Sequence, residues 1–396
     1  MGCDAQATLS SRGLCVIMVD IGNYEGREQS YIKHQFLNQY LKQAAFKTLQ
    51  GRSPVFNFVD AFAGPWSVSD KDDYSDASFD QAIRTLETVR ATLGRMGKSG
   101  LKIRFCFCEK RIAAFEELRQ YAEGQRRFEI FVFHGSFEDN LEDIGKVCSN
   151  GFTFSFIDPT GWDIDSQKIF EFLKQRNGEA LINFMSNDIN RFPDFEKVAN
   201  AYGRLLADPS WKEDFNKLSG EWTNEEKILY LFKKKIKKAG VAKFTPDIVI
   251  QDRVQDRIKM RLILATFSKE GLKLFRDVQE KVEKEEMAVR HKTKRNASRQ
   301  NTLFGDEILA QMQQDAYGVG CKTNKEKAKI VISKVLEKHG SIKFQKLSNF
   351  LIERYPLRET HVKDILKSMK DIGLITYELP SRKKKAQPHT IISLKD

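Results

Sequence analysis

The sequence predicts an α/β protein built on a mostly parallel sheet with helices on both faces, followed by a smaller basic module at the C-terminus. Short apolar runs that are typical of buried strands alternate with helical patterns through the first half of the chain. Residues 326–396 differ, because three helical patterns are followed there by two strand-like runs. Strands that alternate with helices require crossover connections, which make the strands parallel and cover both faces of the sheet.

The strand–helix alternation can be followed element by element. A helical pattern over residues 31–49 leads into a first apolar strand at residues 55–60. Runs rich in aromatic and β-branched residues predict further strands, and apolar residues at helical spacing predict the helices between them. The further strands begin near residues 102, 128, 152 and 179, and the helices span residues 78–93, 112–123, 141–147 and 166–175. A strand, turn and helix over residues 260–278 can complete the sheet.

At 396 residues the chain is too long for one ordinary core, and its patterns divide it into parts. Residues 190–250 are helix-rich and break the alternation, which indicates a helical insertion in the α/β domain. The stretch that precedes the C-terminal module mixes charged residues with Gln, Asn and Gly, as linkers do. We therefore predict an N-terminal extension (1–29), the α/β domain (30–285), a linker (286–325) and a C-terminal domain (326–396).

Composition indicates a globular protein without membrane or metal sites. Hydrophobic residues make up 41% of the chain and aromatic residues 11%, which is enough to fill buried cores. No stretch reaches the ~18–20 apolar residues of a membrane helix, and we expect a cytoplasmic protein without membrane contact. The six cysteines form no C-x-x-C pair, and no histidine stands at metal-ligand spacing, so we predict no metal site. Two of them, Cys106 and Cys108, alternate within an apolar run and are expected to be buried free thiols.

Positive charge is concentrated at the C-terminal end of the chain. Residues 281–396 hold 25 Lys and Arg against 14 Asp and Glu, so they carry +11 of the net charge of +12. Clustered positive charge favours a polyanionic partner, because binding to phosphates releases condensed counterions. Nucleic acid is therefore the expected partner, and DNA is favoured over RNA.

The C-terminal patterns are those of a winged helix, in which three helices precede a β-hairpin. In helix-turn-helix proteins the later helix enters the major groove, and the basic tip of the hairpin can grip the phosphate backbone or the minor groove. The alternative is a winged helix that binds protein and carries a solvated, lysine-rich hairpin. The candidate nucleic-acid contacts are His361, Lys363, Lys367 and Lys370 on the third helix and Arg382, Lys383, Lys384 and Lys385 at the tip.

Polar residues at the predicted strand ends indicate a nucleoside cofactor, because open α/β sheets bind ligands beyond the carboxyl ends of their strands. Asp60 ends the first strand, and the small residues Ala63 and Gly64 let backbone amides approach a ligand. Glu109 ends the second strand, where a carboxylate can accept both hydrogens of a ribose diol. Ser136 follows the third strand and is a candidate contact for an adenine edge. Either acid alone could be an ordinary strand-end cap, but together they favour adenosine.

The fourth strand ends in Asp158-Pro159-Thr160-Gly161-Trp162, which is the strongest catalytic candidate. A carboxylate from Asp158 and a backbone carbonyl fixed by Pro159 can hold an exocyclic amine towards a methyl sulfonium, while Trp162 stacks on the base. The alternative is a tight turn at Asp158-Pro159 with Trp162 in the core. A nicotinamide site is disfavoured because the chain has no G-x-G-x-x-G, and nucleotide hydrolysis because it has no G-x-x-x-x-G-K-[ST].

Three segments resemble the three-Cys-motif partner proteins (TcmP). They are FVDAFAGP at residues 58–65, the strand that ends in Asp158-Pro159 with Gly161, and LILATFSKEGLKLFRDV at residues 262–278. The resemblance covers roughly residues 30–285, and some members carry an appended winged-helix domain. It implies a Rossmann-like, class I methyltransferase-type fold with S-adenosylmethionine as cofactor. It also implies a partner protein, which carries the three cysteines of the family name.

The chain departs from the family pattern at positions that bear on activity. Trp66 stands after Gly64-Pro65 where the family usually has glycine, which removes a site of close backbone approach. Only Ala77-Ser78-Phe79 stands where a Gly-Ser-Pro-like stretch is usual. The Asp-Pro-Thr-Gly-Trp segment also places its aromatic residue later than the Asp-Pro-Pro-aromatic motif of amino-methyltransferases. Two hypotheses follow: a nucleic-acid methyltransferase, or a degenerate methyltransferase fold that serves as a non-enzymatic nucleic-acid-binding partner.

Overall fold

The computed structural model describes residues 21–51, 53–64, 74–161, 164–186, 196–298, 306–381 and 383–395. Trp66, Trp162 and Arg382 lie outside these ranges, as do residues 1–20 of the expected N-terminal extension. The chain divides into two compact units. The first unit runs to Lys243 and includes Val249–Thr266, and the second comprises Phe244–Ile248 and the residues from Phe267 onward.

A seven-stranded sheet is formed by strands at the positions that the apolar runs predict, with one addition. Its strands are β1 Val55–Asp60, β2 Lys102–Glu109, β3 Glu129–His134, β4 Phe152–Ile157, β5 Gly178–Phe184, β6 Asp247–Gln251 and β7 Ile258–Ala265. Their order is β3-β2-β1-β4-β5-β7-β6. The neighbours from β3 to β5 are parallel, and β7 is antiparallel to β5. The expected mostly parallel sheet is therefore confirmed, with β6 as a strand within the stretch predicted to be helical.

Helices connect the strands and cover both faces of the sheet. In the first unit they are α1 Glu28–Gly51, α2 Ser78–Arg95, α3 Ile112–Gly124, α4 Leu141–Val147, α5 Ser166–Lys174, α6 Glu196–Leu205, α7 Trp211–Asn216 and α8 Asn224–Lys238. A 3₁₀ turn over Ile21–Tyr24 precedes them. Helices α6 to α8 lie within residues 190–250, and β6 begins in the same stretch.

The period-two alternation of the strands explains why both faces of the sheet are apolar. Phe105 of β2 and Phe154 of β4 flank Phe58 of β1 on one face, with ring centroids 6.1 and 6.2 Å from that of Phe58. Cys106 and Cys108 are buried as free thiols in the core of the opposite face. The predicted burial of these two cysteines is confirmed.

In its described residues, the second unit combines four helices with a small antiparallel sheet. The helices are α9 Lys269–Ser298, α10 Asp306–His339, α11 Phe344–Arg354 and α12 Glu359–Asp371, and the strands are β8 Ser341–Lys343, β9 Ile375–Thr376 and β10 Ile391–Leu394. Strand β10 lies between β8 and β9 and is antiparallel to both. Apolar residues from all four helices and from β9 and β10 form its core.

Helices replace the linker that the composition of residues 286–325 predicts. Residues 286–298 continue α9, and residues 306–325 form the first part of α10. Polar side chains in this stretch are compatible with helix, because a long helix needs only one apolar stripe for packing. The residues of this kind in the core lie on either side of the stretch, namely Leu272 of α9 and Ala328, Ile332 and Leu336 of α10. The division into units also falls near Phe267 rather than at residue 285.

None of the described helices has the length and apolar character needed to cross a membrane.

Candidate functional site

Two adjoining cavities lie at the carboxyl ends of β1, β2 and β4, where the strand order reverses between β1 and β4. The first, which we call the Glu109 cavity, has a volume of about 490 Å³. The second, the Asp158 cavity, has a volume of about 310 Å³. Phe62, Pro159 and Thr160 line both, so these residues form the wall between them. This edge of the sheet is where open α/β folds bind their ligands.

The Glu109 cavity brings together two residues that the sequence predicts as cofactor contacts, Glu109 and Ser136. Oε1 of Glu109 accepts a hydrogen bond from the backbone N–H of Arg111 at 2.6 Å, which fixes the carboxylate at the end of β2. Gly135 has a φ of +118°, which a residue with a side chain rarely adopts. The Gly135 backbone N–H donates to the carbonyl of Glu109 at 3.1 Å. The loop after β3 is thereby held beside the end of β2.

Ser136 also organises its own turn. Its hydroxyl donates to Oδ2 of Asp139 at 2.5 Å and accepts from the backbone N–H of Asp139 at 3.2 Å. Close by, Oε1 of Glu138 accepts from the backbone N–H of Asp165 at 3.1 Å. The bond between Glu138 and Asp165 connects the loops after β3 and β4, both of which line the cavity.

Asp60 and Ala63 do not line either cavity, contrary to their predicted role as cofactor contacts. Asp60 is completely buried, and its two oxygens accept from the backbone N–H of Phe62 at 3.1 Å and the hydroxyl of Ser78 at 2.7 Å. Burial, with a smaller contribution from the nearby carboxylate of Asp158, raises the pKa of Asp60 to about 7. Asp60 therefore holds the turn after β1 against the start of α2. Gly64 is the one residue of this predicted group that lines the Asp158 cavity.

Asp158 lies at the end of β4 with both carboxylate oxygens engaged. Lys33 of α1 donates to Oδ2 at 2.5 Å, and the side-chain amide of Asn183 at the end of β5 donates to Oδ1 at 2.6 Å. Asn183 is 3% exposed, whereas the side chains of Lys33 and Asp158 are 11% and 17% exposed. The ion pair can thus be reached from the cavity, with Asn183 behind it fixing the carboxylate.

Other charged groups complete the Asp158 cavity. Arg27 pairs with Asp76 at 2.6 Å, and both residues line the cavity. Lys259 of β7 also lines it and makes no ion pair with the residues that the structure describes. Burial, together with the positive charge of Lys33, holds the pKa of His34 well below its usual range, so this lining imidazole is neutral. Among the lining residues that the structure describes, three cations face two carboxylates, so these residues carry a net positive charge.

Pro159 is buried at the wall between the two cavities. Trp162, the predicted stacking residue, lies outside the described residues. The bond to Lys33 changes the chemistry predicted for Asp158, because the carboxylate acts as part of an ion pair. Among the described residues, no group of three or more His, Cys, Asp or Glu side chains could hold a metal ion.

Lys33, Asn183 and Lys259 are cavity residues that the strand-end analysis missed. Lys33 lies on a helix that precedes the sheet in the chain, 125 residues before Asp158. One sequence signal was present, since Lys33, His34, Gln35 and Asn38 place polar residues within the buried part of an otherwise amphipathic helix. Buried polar residues need partners, and their clustering on α1 could have indicated a site there.

The residues predicted to contact nucleic acid fall into two groups. His361, Lys363, Lys370 and Lys385 have partners within the second unit, namely the backbone N–H of Arg358, Glu359, the carbonyl of Tyr377, and Asp364. Lys367, Lys383 and Lys384 are exposed. Burial lowers the pKa of the half-buried His361 from its ordinary value, which opposes a role as a cationic contact. Arg382 lies outside the described residues.

No protein-family model and no curated protein matches the chain. Among solved structures, it is similar to protein LPL1258 from Legionella pneumophila, described under family-model DUF519, with 11% identity, a TM-score of 0.38 and coverage of 66% of this chain and 92% of that one. It is also similar to a putative caffeoyl-CoA O-methyltransferase from Staphylococcus aureus, with 10% identity, a TM-score of 0.27 and coverage of 57% and 81%. A loganic acid methyltransferase with S-adenosylhomocysteine matches at 10% identity, with a TM-score of 0.30 and coverage of 76% and 91%.

Two of these three structures are described as a methyltransferase and a putative methyltransferase, at low sequence identity. All three TM-scores lie below 0.5, so the likenesses do not determine the function. We infer the function from the two cavities and their lining residues instead.

Proposed function

We propose that the first unit is an S-adenosylmethionine-dependent methyltransferase that acts on nucleic acid and belongs with the three-Cys-motif partner proteins. The observation that carries this proposal is the pair of cavities that share the wall at Pro159-Thr160. The Glu109 cavity has a strand-end carboxylate suited to a ribose diol. The Asp158 cavity has the ion pair of Lys33 and Asp158, which can be reached from the cavity. A transferase needs two such adjoining sites, one for the donor and one for the acceptor.

The Glu109 cavity fits the cofactor in size and in chemistry. Its volume of about 490 Å³ lies within the roughly 300–1,000 Å³ of ligand pockets. Glu109 would accept the hydrogens of the ribose diol, and the backbone around Gly135 and Ser136 would border the adenine. S-adenosylmethionine supplies an electrophilic methyl group on its sulfonium. The contribution of the protein is to hold the acceptor in line with that methyl group and to keep water away.

The Asp158 cavity would receive the acceptor. Asn183 fixes the carboxylate of Asp158, and Lys33 balances its charge, so the polar groups at the wall are oriented before a substrate binds. Such preorganised groups lower the cost of reaching the reactive geometry. Pro159 limits the conformations of the wall, because its ring fixes φ.

Isothermal titration with S-adenosylhomocysteine tests the proposal. The wild-type protein should bind, and Glu109→Gln should weaken binding about tenfold or more, because the bonds between diol and carboxylate lose their charge. Glu116→Gln, an exposed position on α3, is the matched control and should bind like wild type. A well-folded wild-type protein that does not bind would contradict the proposal.

A second candidate is a degenerate methyltransferase fold that binds nucleic acid without catalysis. It is favoured by the positions of Asp60 and Ala63, which are buried away from both cavities although the sequence predicts them as cofactor contacts. This candidate predicts nucleic-acid binding that S-adenosylhomocysteine does not influence, with no heat in the same titration.

We further propose that the second unit is a winged helix that binds nucleic acid. Support comes from the order of its elements, with β8, α11 and α12 followed by β9 and β10, and from the exposed Lys367, Lys383 and Lys384. The lysines between β9 and β10 would contact phosphates. The resemblance to the three-Cys-motif partner proteins adds a protein partner to this proposal, which co-purification with a tagged chain would test.

A further inference from the structure

We infer that the Asp158 cavity takes a ribose hydroxyl of RNA together with a neighbouring phosphate. This inference rests on the proposed methyltransferase function and deepens it by naming the acceptor group. It starts from the ion pair of Lys33 and Asp158, which lines the cavity and can be reached from it. The pair was absent from the sequence-based prediction, in which the Asp158 carboxylate and a backbone carbonyl fixed by Pro159 held an exocyclic amine.

Hydrogen-bond complementarity distinguishes a hydroxyl from an amine at this pair. The Lys33 ammonium offers only donors and the Asp158 carboxylate only acceptors, so a group that touches both must donate to one and accept from the other. A hydroxyl has one O–H donor and two lone pairs, and it keeps a lone pair free after making both bonds. An exocyclic amine has one nitrogen lone pair, and it would have to accept the hydrogen bond from Lys33 with it. The same lone pair is needed to attack the methyl group, so the amine could not react while bonded to Lys33. The ion pair therefore favours an oxygen acceptor.

The charge of the lining favours an anionic group beside that hydroxyl. Arg27, Lys33 and Lys259 face the two carboxylates Asp76 and Asp158 within one cavity. Arg27 is already bonded to Asp76, and Lys33 to Asp158, which leaves Lys259, among the described lining residues, as the cation for a phosphate. An RNA nucleotide places a 2′-hydroxyl next to a phosphate, whereas DNA lacks the hydroxyl. The cavity thus favours RNA, although the basic C-terminal patterns alone favour DNA.

Binding of three single-stranded oligonucleotides of one sequence tests the inference without any turnover. They are RNA, DNA and fully 2′-O-methylated RNA, which keeps the sugar pucker of RNA but has no hydroxyl to donate. Fluorescence anisotropy at raised salt, where non-specific phosphate contacts weaken, should show RNA bound about tenfold more tightly than the other two. The wild-type full-length chain is used with saturating S-adenosylhomocysteine and also without it.

Substitutions at the ion pair should remove the preference for RNA. Lys33→Met should bind RNA, DNA and 2′-O-methyl RNA with similar affinity. Lys47→Met, at an exposed position of the same helix, should still bind RNA most tightly. Lys259→Met should weaken all three oligonucleotides alike. If Lys33→Met does not fold, as judged by circular dichroism, Asp158→Asn supplies the same test at constant size.

The inference is overturned if RNA and 2′-O-methyl RNA bind equally, if none of the three binds, or if a folded Lys33→Met protein keeps the preference. The parallel titration with S-adenosylhomocysteine separates this outcome from failure of the proposed function. Cofactor binding without a preference for RNA would contradict only the assignment of a ribose hydroxyl as the acceptor. A preference for RNA without cofactor binding would contradict the methyltransferase proposal and would identify the Asp158 cavity as an RNA-binding site.

Discussion

Each of the two units buries a cation, and the partners of the two cations differ. Lys33 in the first unit pairs with the carboxylate of Asp158 beside a cavity. Arg276 in the second unit is 3% exposed and donates to the backbone carbonyls of Ile352 and Glu353 in the last turn of α11. The carbonyls at a helix end lack partners within the helix, so Arg276 completes that end. The comparison indicates that Arg276 serves folding, and it agrees with the proposal that Lys33 serves a ligand.

Replacing Arg276 should have the largest effect on stability. A small effect would contradict the assignment of Arg276 to folding. Arg276→Met leaves several buried carbonyls without donors, and we expect the second unit to lose about 3–5 kcal/mol of stability. Hydrogen–deuterium exchange of peptides from residues 344–354 measures the loss locally. Arg354→Met, at an exposed position on α11, is the control and should exchange like wild type. Protection that survives in Arg276→Met would show that the carbonyls find other donors.

Asp60 offers a pH-dependent test of burial in the first unit. Its pKa is raised to about 7 in the folded protein, so the folded state holds a proton that the unfolded state releases between about pH 4 and 7. Stability from this group is therefore present at low pH and lost as the pH rises through that window.

Asp60→Asn should remove this pH dependence, because the amide can serve both Phe62 and Ser78 while carrying no charge. At pH 8 the variant should be more stable than wild type by about 4 kcal/mol, and near pH 4 the two should be similar. All four tryptophans precede residue 223, so tryptophan fluorescence during urea unfolding reports on the first unit. Parallel pH profiles for the two proteins would contradict the raised pKa.

The exposed lysines of the second unit should affect binding and leave stability unchanged. Replacing Lys383 and Lys384 by alanine removes two phosphate contacts, so the slope of log affinity for nucleic acid against log salt should fall by about 2. The Lys47→Ala, Lys98→Ala double variant, with both positions exposed in the first unit, is the control for net charge. An equal change in both double variants would assign the effect to overall charge rather than to the tip between β9 and β10.

The fold could be predicted because its signals are local. Alternating apolar residues in β1, β2 and β4 and helical spacing in α1 and α2 each lie within one short segment. Strand β8 was missed because three residues, Ser341–Lys343, directly precede α11 without a break in pattern. Residues 286–325 appeared linker-like because composition does not show which few apolar residues find partners in a core.

The candidate site could be predicted only in part, for a related reason. Glu109, Ser136 and Asp158 were found because parallel strands bring their carboxyl ends to one edge. Nothing local indicates that Lys33 reaches Asp158 across 125 residues of chain, or that Asn183 fixes the other oxygen of the carboxylate. Asp60 shows that a strand-end acid need not face a ligand. Both of its oxygens accept hydrogen bonds from the following turn and from the start of α2.

The central claim is that the Glu109 cavity holds the cofactor and the Asp158 cavity the acceptor. A crystal structure of the protein grown with S-adenosylhomocysteine tests this most directly. We predict both ribose hydroxyls within hydrogen-bond distance of the Glu109 carboxylate and the sulfur near the wall at Pro159-Thr160. A ligand bound elsewhere, or a ribose that makes no contact with Glu109, would contradict the claim.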